Sequence, residues 1–191
     1  MRVAIKRLVS FKSQVSCHYL ISREGKIFQM VADNRVAWHA GVSKWGKFNN
    51  LNDKSIGIEL VNKGHKFGYQ TFSRKQINSL VMLCIKLKRK YKIKNSYILG
   101  HSDIAPLRKK DPGEKFPWKK QAQNGLVCWH KLDLKKIKKY RNVDLSSKNE
   151  EKAFVKNLQK IGYMKMGRKN LKKNSLIIKA FQRRFRQELI S

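Results

Sequence analysis

VSCHYLISREGKIFQMV, residues 15–31, holds two β-rich runs, Val15–Ile21 and Lys26–Val31, joined by Ser22-Arg23-Glu24-Gly25. A glycine at the end of a short polar connection between two such runs signals a hairpin. Downstream, Ile56–Val61 reads as a further strand, apolar apart from Glu59. A helix should open at Ser73, where Ser-x-x-Gln has the form of a capping box, and run through Ile77, Leu80, Cys84, Leu87 and Tyr91 at helical spacing. Tyr97–Gly100 then reads as a strand ending at His101. Strands interleaved with helices predict an α/β fold, a mixed central β-sheet flanked by helices.

Beyond Pro117 the pattern weakens to a short helix over Leu132–Tyr140 and a polar linker, residues 142–149. Ser147-x-x-Glu150 is a second capping box, opening a helix with Phe154, Leu158 and Ile161 on one face and Gly162 as its stop. After a basic loop, Ile178, Phe181, Phe185 and Leu189 recur at spacings of three and four. The expected organisation is therefore a main unit over 1–141, a linker over 142–149 and a small helical segment over 150–191.

The 191 residues carry 45 Lys and Arg against 12 Asp and Glu, a net charge of +33, and 41% are apolar. Such a charge suits a polyanionic partner, yet the lysines are scattered over every segment and no nucleic-acid module is visible, so a nucleic-acid partner is disfavoured. The three cysteines, Cys17, Cys84 and Cys128, form no CxxC pair and suggest no disulfide framework; Cys84 reads as a small buried apolar residue. No stretch reaches the ~20 apolar residues of a membrane span. MRVAIKRLVSFKSQ, at the start, reads as an amphipathic helix and not as a signal peptide, because Arg and Lys interrupt its apolar positions.

Chemistry concentrates in GHSDIAPLRKKDPG, residues 100–113, which places His101, Lys109 and Asp111 within a loop bracketed by Gly and Pro. An imidazole and a carboxylate so placed can serve as zinc ligands, with a lysine near enough to meet developing negative charge. On spacing alone, a capping Asp and a surface His are the commoner arrangement. Glu59 stands either at a solvent-facing strand position or as a general base.

Four segments in order, the two quoted above with RVAWHAGVSKWG (residues 35–46) and NDKSIGIELVN (residues 52–62), resemble the zinc-dependent N-acetylmuramoyl-L-alanine amidases of the AmpD/AmiD type, the amidase_2 family. The resemblance runs from about Met1 to Trp118 and implies a peptidoglycan-recognition-like fold. It implies a hydrolase for the amide between N-acetylmuramic acid and L-alanine, acting on peptidoglycan or muropeptides in the bacterial envelope or the cytoplasm. It assigns His101 and Asp111 to Zn2+, Glu59 to the general base, Lys109 rather than Lys110 to the oxyanion, and Trp38, His39 and Asn52 to the substrate groove. The family's first zinc-ligand histidine lies on a strand upstream of the VSxHY motif, and this chain has no counterpart to it. The alternative is therefore a catalytically impaired protein that still binds peptidoglycan fragments. His18 is expected to be a hydrogen-bonded structural histidine, and His65 and His130 surface residues. Cys17 stands where a related branch has Tyr, which fits the glutamate-using branch. LQKIGY and IIKAFQRRFR resemble part of a small peptidoglycan-binding domain, expected to act by tethering. Oligomeric state is not legible.

Overall fold

The computed structural model describes residues 2–141, 147–167 and 171–190. A helix α1 (Arg2–Val9) precedes the strands β1 (Tyr19–Ile21), β2 (Ile27–Gln29), β3 (Lys44–Trp45), β4 (Phe48–Asn49) and β5 (Ile58–Leu60). Six further helices follow: α2 (Arg74–Lys90), α3 (His101–Ile104), α4 (Trp118–Gln123), α5 (Leu134–Arg141), α6 (Lys148–Ile161) and α7 (Leu171–Phe185). Among the described residues no helix is long and apolar enough to cross a membrane.

β1 is central in a mixed sheet of order β2-β1-β5, antiparallel to β2 and parallel to β5. The expected hairpin is thus present, with Gly25 at φ +87° in its turn. A Cβ there would lie 2.9 Å from both the Lys75 carbonyl oxygen and Ser79 Oγ, so the turn admits only glycine. Alternation along the strands gives each face one task. Tyr19, Ile21, Ile58 and Leu60 pack with Ile77, Leu80, Leu83 and Leu87 of α2 and with Phe116 and Trp118. Leu20 and Glu59 lie opposite each other in register on the other face.

α2 begins where the sequence predicts, but only half of the capping box forms: Ser73 Oγ accepts from the Gln76 amide. The Gln76 side chain turns into the sheet instead, where its Nε2 donates to the carbonyls of Ile21 and Val61. Those buried acceptors compete better for the amide than the exposed cap does.

Tyr97–Gly100 is not a strand. Asn95–Tyr97 forms a 3-10 turn, Ile98 and Gly100 are extended, and His101 opens α3. The carbonyls a ladder would use have side-chain donors: Trp45 Nε1 donates to Ser96, and Arg184 Nη2 to Ile98. The β3–β4 ribbon, α3 and α4 have no counterpart among the elements expected from the sequence, each being too short to show a period.

α6 has the full Ser147–Glu150 capping box and ends at Gly162, as expected. Residues 142–146 of the expected linker and 168–170 of the basic loop lie outside the described residues. α6 and α7 share a core with the main unit: Leu158, Tyr163, Met166, Ile177 and Ala180 pack with Ala40, Trp45 and Leu51. Leu189 is not on the buried face; it lies beyond α7 in a 3-10 turn and is exposed. Gln187 draws the chain aside there by donating to the carbonyls of Glu114 and Phe116.

Candidate active site

The structure brings His101 and Asp111 together: His101 Nδ1 lies 3.1 Å from Asp111 Oδ2. Local backbone sets this up. The Ser102 amide donates to the Asp111 carbonyl at 2.8 Å, tying the start of α3 to the end of the loop. On the far side of the ring, Nε2 lies 3.1 Å from the Ala40 carbonyl. The Ala40 carbonyl fixes the ring so that Nδ1 faces Asp111, the orientation that a carbonyl behind the ring gives a metal-ligating imidazole. The Asp111 side chain is half-exposed (54%), so this edge of the site is open to solvent. Burial raises its carboxyl, but the hydrogen bond and charge of His101, its own backbone and Lys109 outweigh that and hold it below the usual value.

Of the three consecutive cations, Arg108 is committed to structure. Its guanidinium donates to the carbonyls of Ala40 and Val42, pinning the 40–42 loop under His101. Lys109 is half-buried and its charge bears on Asp111, whereas Lys110 is exposed. The role of Arg108 is not legible in the sequence, because an arginine in a basic run carries no sign of which carbonyls it will meet.

Glu59 lies mid-β5 and is exposed. Its face is fixed by a neighbour: a Cβ on Gly57 would sit 2.2 Å from His39 Cγ, so the His39 ring covers that position. Glu59, two residues along the strand, projects from the same face. His39 in turn feels the charge of His101, which links the β5 face to the His101–Asp111 loop. Burial is the main cause that pushes the His39 ring down to about 4, so it is neutral at physiological pH, its Nε2 donating to the Ser55 carbonyl. Cys17, fully buried beside β5, has its thiol pushed up to about 12, first by burial and then by the Glu59 charge.

His18 is held at both ring nitrogens, accepting from the Gly57 amide at Nδ1 and donating from Nε2 to the Arg35 carbonyl. Asn52 Oδ1 accepts from the amides of Ala40 and Gly41, so its carbonyl end shapes the loop. Trp38 is exposed (47%) with its backbone amide anchored on Ser16 Oγ. His65 is exposed, as expected, and there it stacks on Tyr69 and lies 3.1 Å from Glu114. Tyr69 donates to the Pro112 carbonyl, so this pair walls the loop beside Asp111; Gly113 permits the approach, since its Cβ would meet Tyr69 and His65 within 2.8 Å.

One imidazole and one carboxylate with an open side fit two ligand positions of a hydrolytic zinc site. Among the described residues no group of three or more His, Cys, Asp or Glu comes together that could hold a metal.

A small mixed sheet, with His101 and Asp111 paired in a loop and Glu59 on its edge strand β5, is the combination that the amidase_2 resemblance implies. The chain belongs to the amidase_2 family, N-acetylmuramoyl-L-alanine amidase, whose profile matches residues 2–114. It is 41% identical over 128 residues to the N-acetylmuramoyl-L-alanine amidase AmiD of Escherichia coli K12, covering 61% of this chain and 46% of that protein. It is 42% identical over 111 residues to the 1,6-anhydro-N-acetylmuramyl-L-alanine amidase AmpD of Haemophilus influenzae, 58% of each. The chain thus spans about half the length of these curated relatives. The structure of E. coli AmiD with the substrate anhydro-N-acetylmuramic acid-L-Ala-D-γ-Glu-L-Lys superimposes with a TM-score of 0.84 at 32% identity, over 98% of this chain and 76% of that one. α6 and α7 fall inside that match.

Proposed function

We propose that this chain hydrolyses the amide between N-acetylmuramic acid and L-alanine in peptidoglycan fragments. The observation that carries the reading is the meeting of His101 Nδ1 and Asp111 Oδ2 at 3.1 Å beside the strand face bearing Glu59. His101 and Asp111 would hold Zn2+, which when bound supplies a polarised water with a pKa near ~7. Glu59 takes a proton from the attacking water and returns it to the leaving amine of alanine. Lys109 meets the negative charge that develops on the carbonyl oxygen. Ala40 and Arg108 keep the imidazole oriented, and the exposed Trp38, with His39 and Asn52, lines the substrate side. The substrate named for the AmiD structure makes soluble anhydro-muropeptides the first to try.

The C-terminal segment supports a wall-binding role. Between α6 and α7 lies a groove of about 400 Å3 whose lining includes Phe154, Val155, Met166, Ile178, Asn174 and Ser175. Apolar walls with amide and hydroxyl groups suit a glycan or peptide stem.

A second reading, fragment binding without hydrolysis, draws on the lack of a third metal donor among the described residues. Incubation with an anhydro-muropeptide with and without added zinc, read by mass spectrometry, separates the two. Release of the free peptide, abolished about 100-fold by Glu59→Gln with zinc retained and lost together with the metal in His101→Ala, supports hydrolysis. Binding without release at any zinc concentration refutes it.

A further inference from the structure

The C-terminal helices reach the site itself. Asp103, in the first turn of α3, is 1% exposed and its carboxylate has three partners. Oδ2 accepts from the Gly100 amide at 2.8 Å and from Arg184 Nη1 at 2.7 Å; Oδ1 accepts from Tyr163 OH at 2.6 Å. Arg184 also donates to the Ile98 carbonyl and stacks on Trp118 with its guanidinium carbon 4.3 Å from the ring centroid. Gly100 lies so close that a Cβ would meet Pro112 Cδ at 2.7 Å and Trp118 at 3.0 Å. Asp103 and Arg184 thus bond directly to the backbone that enters His101, at the Gly100 amide and the Ile98 carbonyl, and Tyr163 reaches it through Asp103. Gln187, beyond α7, completes the hold by donating to the carbonyls of Glu114 and Phe116, on the far limb of the same loop.

A buried ion pair earns little net stability, and an apolar pair would fill the same space at no greater cost. What Asp103 adds is directional: it fixes the amide before His101, but only while Arg184 and Tyr163 fix Asp103. We infer that Tyr163, Arg184 and Gln187 are positioning residues of the candidate site, which hold His101 and Asp111 at ligating distance, so that the C-terminal segment is a structural half of the site as well as a tether. The inference deepens the amidase reading and rests on it for the chemistry, while the positioning itself can be read without activity.

Three variants of the full chain test it: Arg184→Met, which keeps the stem on Trp118, and the milder Tyr163→Phe and Gln187→Ala, which remove single hydrogen bonds. Amide hydrogen exchange is followed at Gly100 and Ser102 and, as reference, in the β1–β5 ladder, with the His101 ring nitrogens observed by NMR at fixed pH. Exchange at Gly100 and Ser102 should rise about tenfold or more in Arg184→Met and several-fold in Tyr163→Phe, with the ladder unchanged and the His101 signals displaced. Gln187→Ala should displace the His101 signals with α2 unaffected. Competition with a chelator should show zinc binding at least tenfold weaker in Arg184→Met. Where hydrolysis is measured, kcat should fall in Tyr163→Phe with KM unchanged. Wild-type exchange and His101 signals in both mild variants, or acceleration spread evenly over the whole chain, would overturn the inference. Local acceleration in a protein that hydrolyses no muropeptide would sink the amidase reading and leave the positioning intact.

Discussion

Asp33 offers a test of how the fold is tied together away from the site. Its carboxylate gathers Tyr19 OH from β1 at 2.5 Å, Lys90 Nζ at 3.0 Å and Tyr91 OH at 2.9 Å from the end of α2. Burial raises its pKa, but the hydrogen bonds of Tyr19, Lys90 and Tyr91 and the Lys90 charge prevail and bring it to about 2. The folded value lies below the unfolded one, so the stabilisation is full above the unfolded value of 3.8 and is lost as pH falls towards 2. Such a difference is worth at most about 2.4 kcal/mol; because Lys90 stands in solvent, screening reduces it to about 1–2 kcal/mol. Asp33→Asn keeps the shape and removes the charge. Urea unfolding at pH 6.5 should show the variant less stable by that amount, and the gap should close progressively below pH 4. An equal gap at pH 6.5 and pH 3 would show that packing, not ionisation, carries the effect and would refute the reasoning.

Gly57→Ala should cost about 1–3 kcal/mol, because its Cβ would drive into the His39 ring; urea unfolding gives the cost, and a displaced His39 ring signal in NMR confirms where the strain goes. Trp38→Ala, at a side chain 47% exposed, should leave stability within about 0.5 kcal/mol of wild type and raise KM for muropeptide with kcat unchanged, as steady-state kinetics would report.

The hairpin, α2 and α6 were legible because each couples a full hydrophobic period to a turn or cap written in adjacent residues. Tyr97–Gly100 was not. An apolar run says that a segment is buried, while its hydrogen-bond partners are set by Trp45 and Arg184, which sit far off in the chain. The same divide runs through the site. His101 and Asp111 announce themselves because the loop joining them is short and bracketed by Gly and Pro. Asp103 looks like an ordinary first-turn acid, and its partners Tyr163 and Arg184 lie 60 and 81 residues away with no local pattern to mark them.

The 81-residue span from Asp103 to Arg184 also sets an order of events during synthesis. At about 5–20 residues per second, a ribosome takes roughly 4–16 s to make the chain between them, and longer to clear the exit tunnel. Throughout that interval α3 has a carboxylate with no cation to meet it and the turn into His101 is unbraced. The nascent sheet and α2 can already be packed, since the residues of their shared core all precede α6 in the chain. The brace on the turn into His101 is therefore completed only once α7 has been made, however early the loop itself is synthesised.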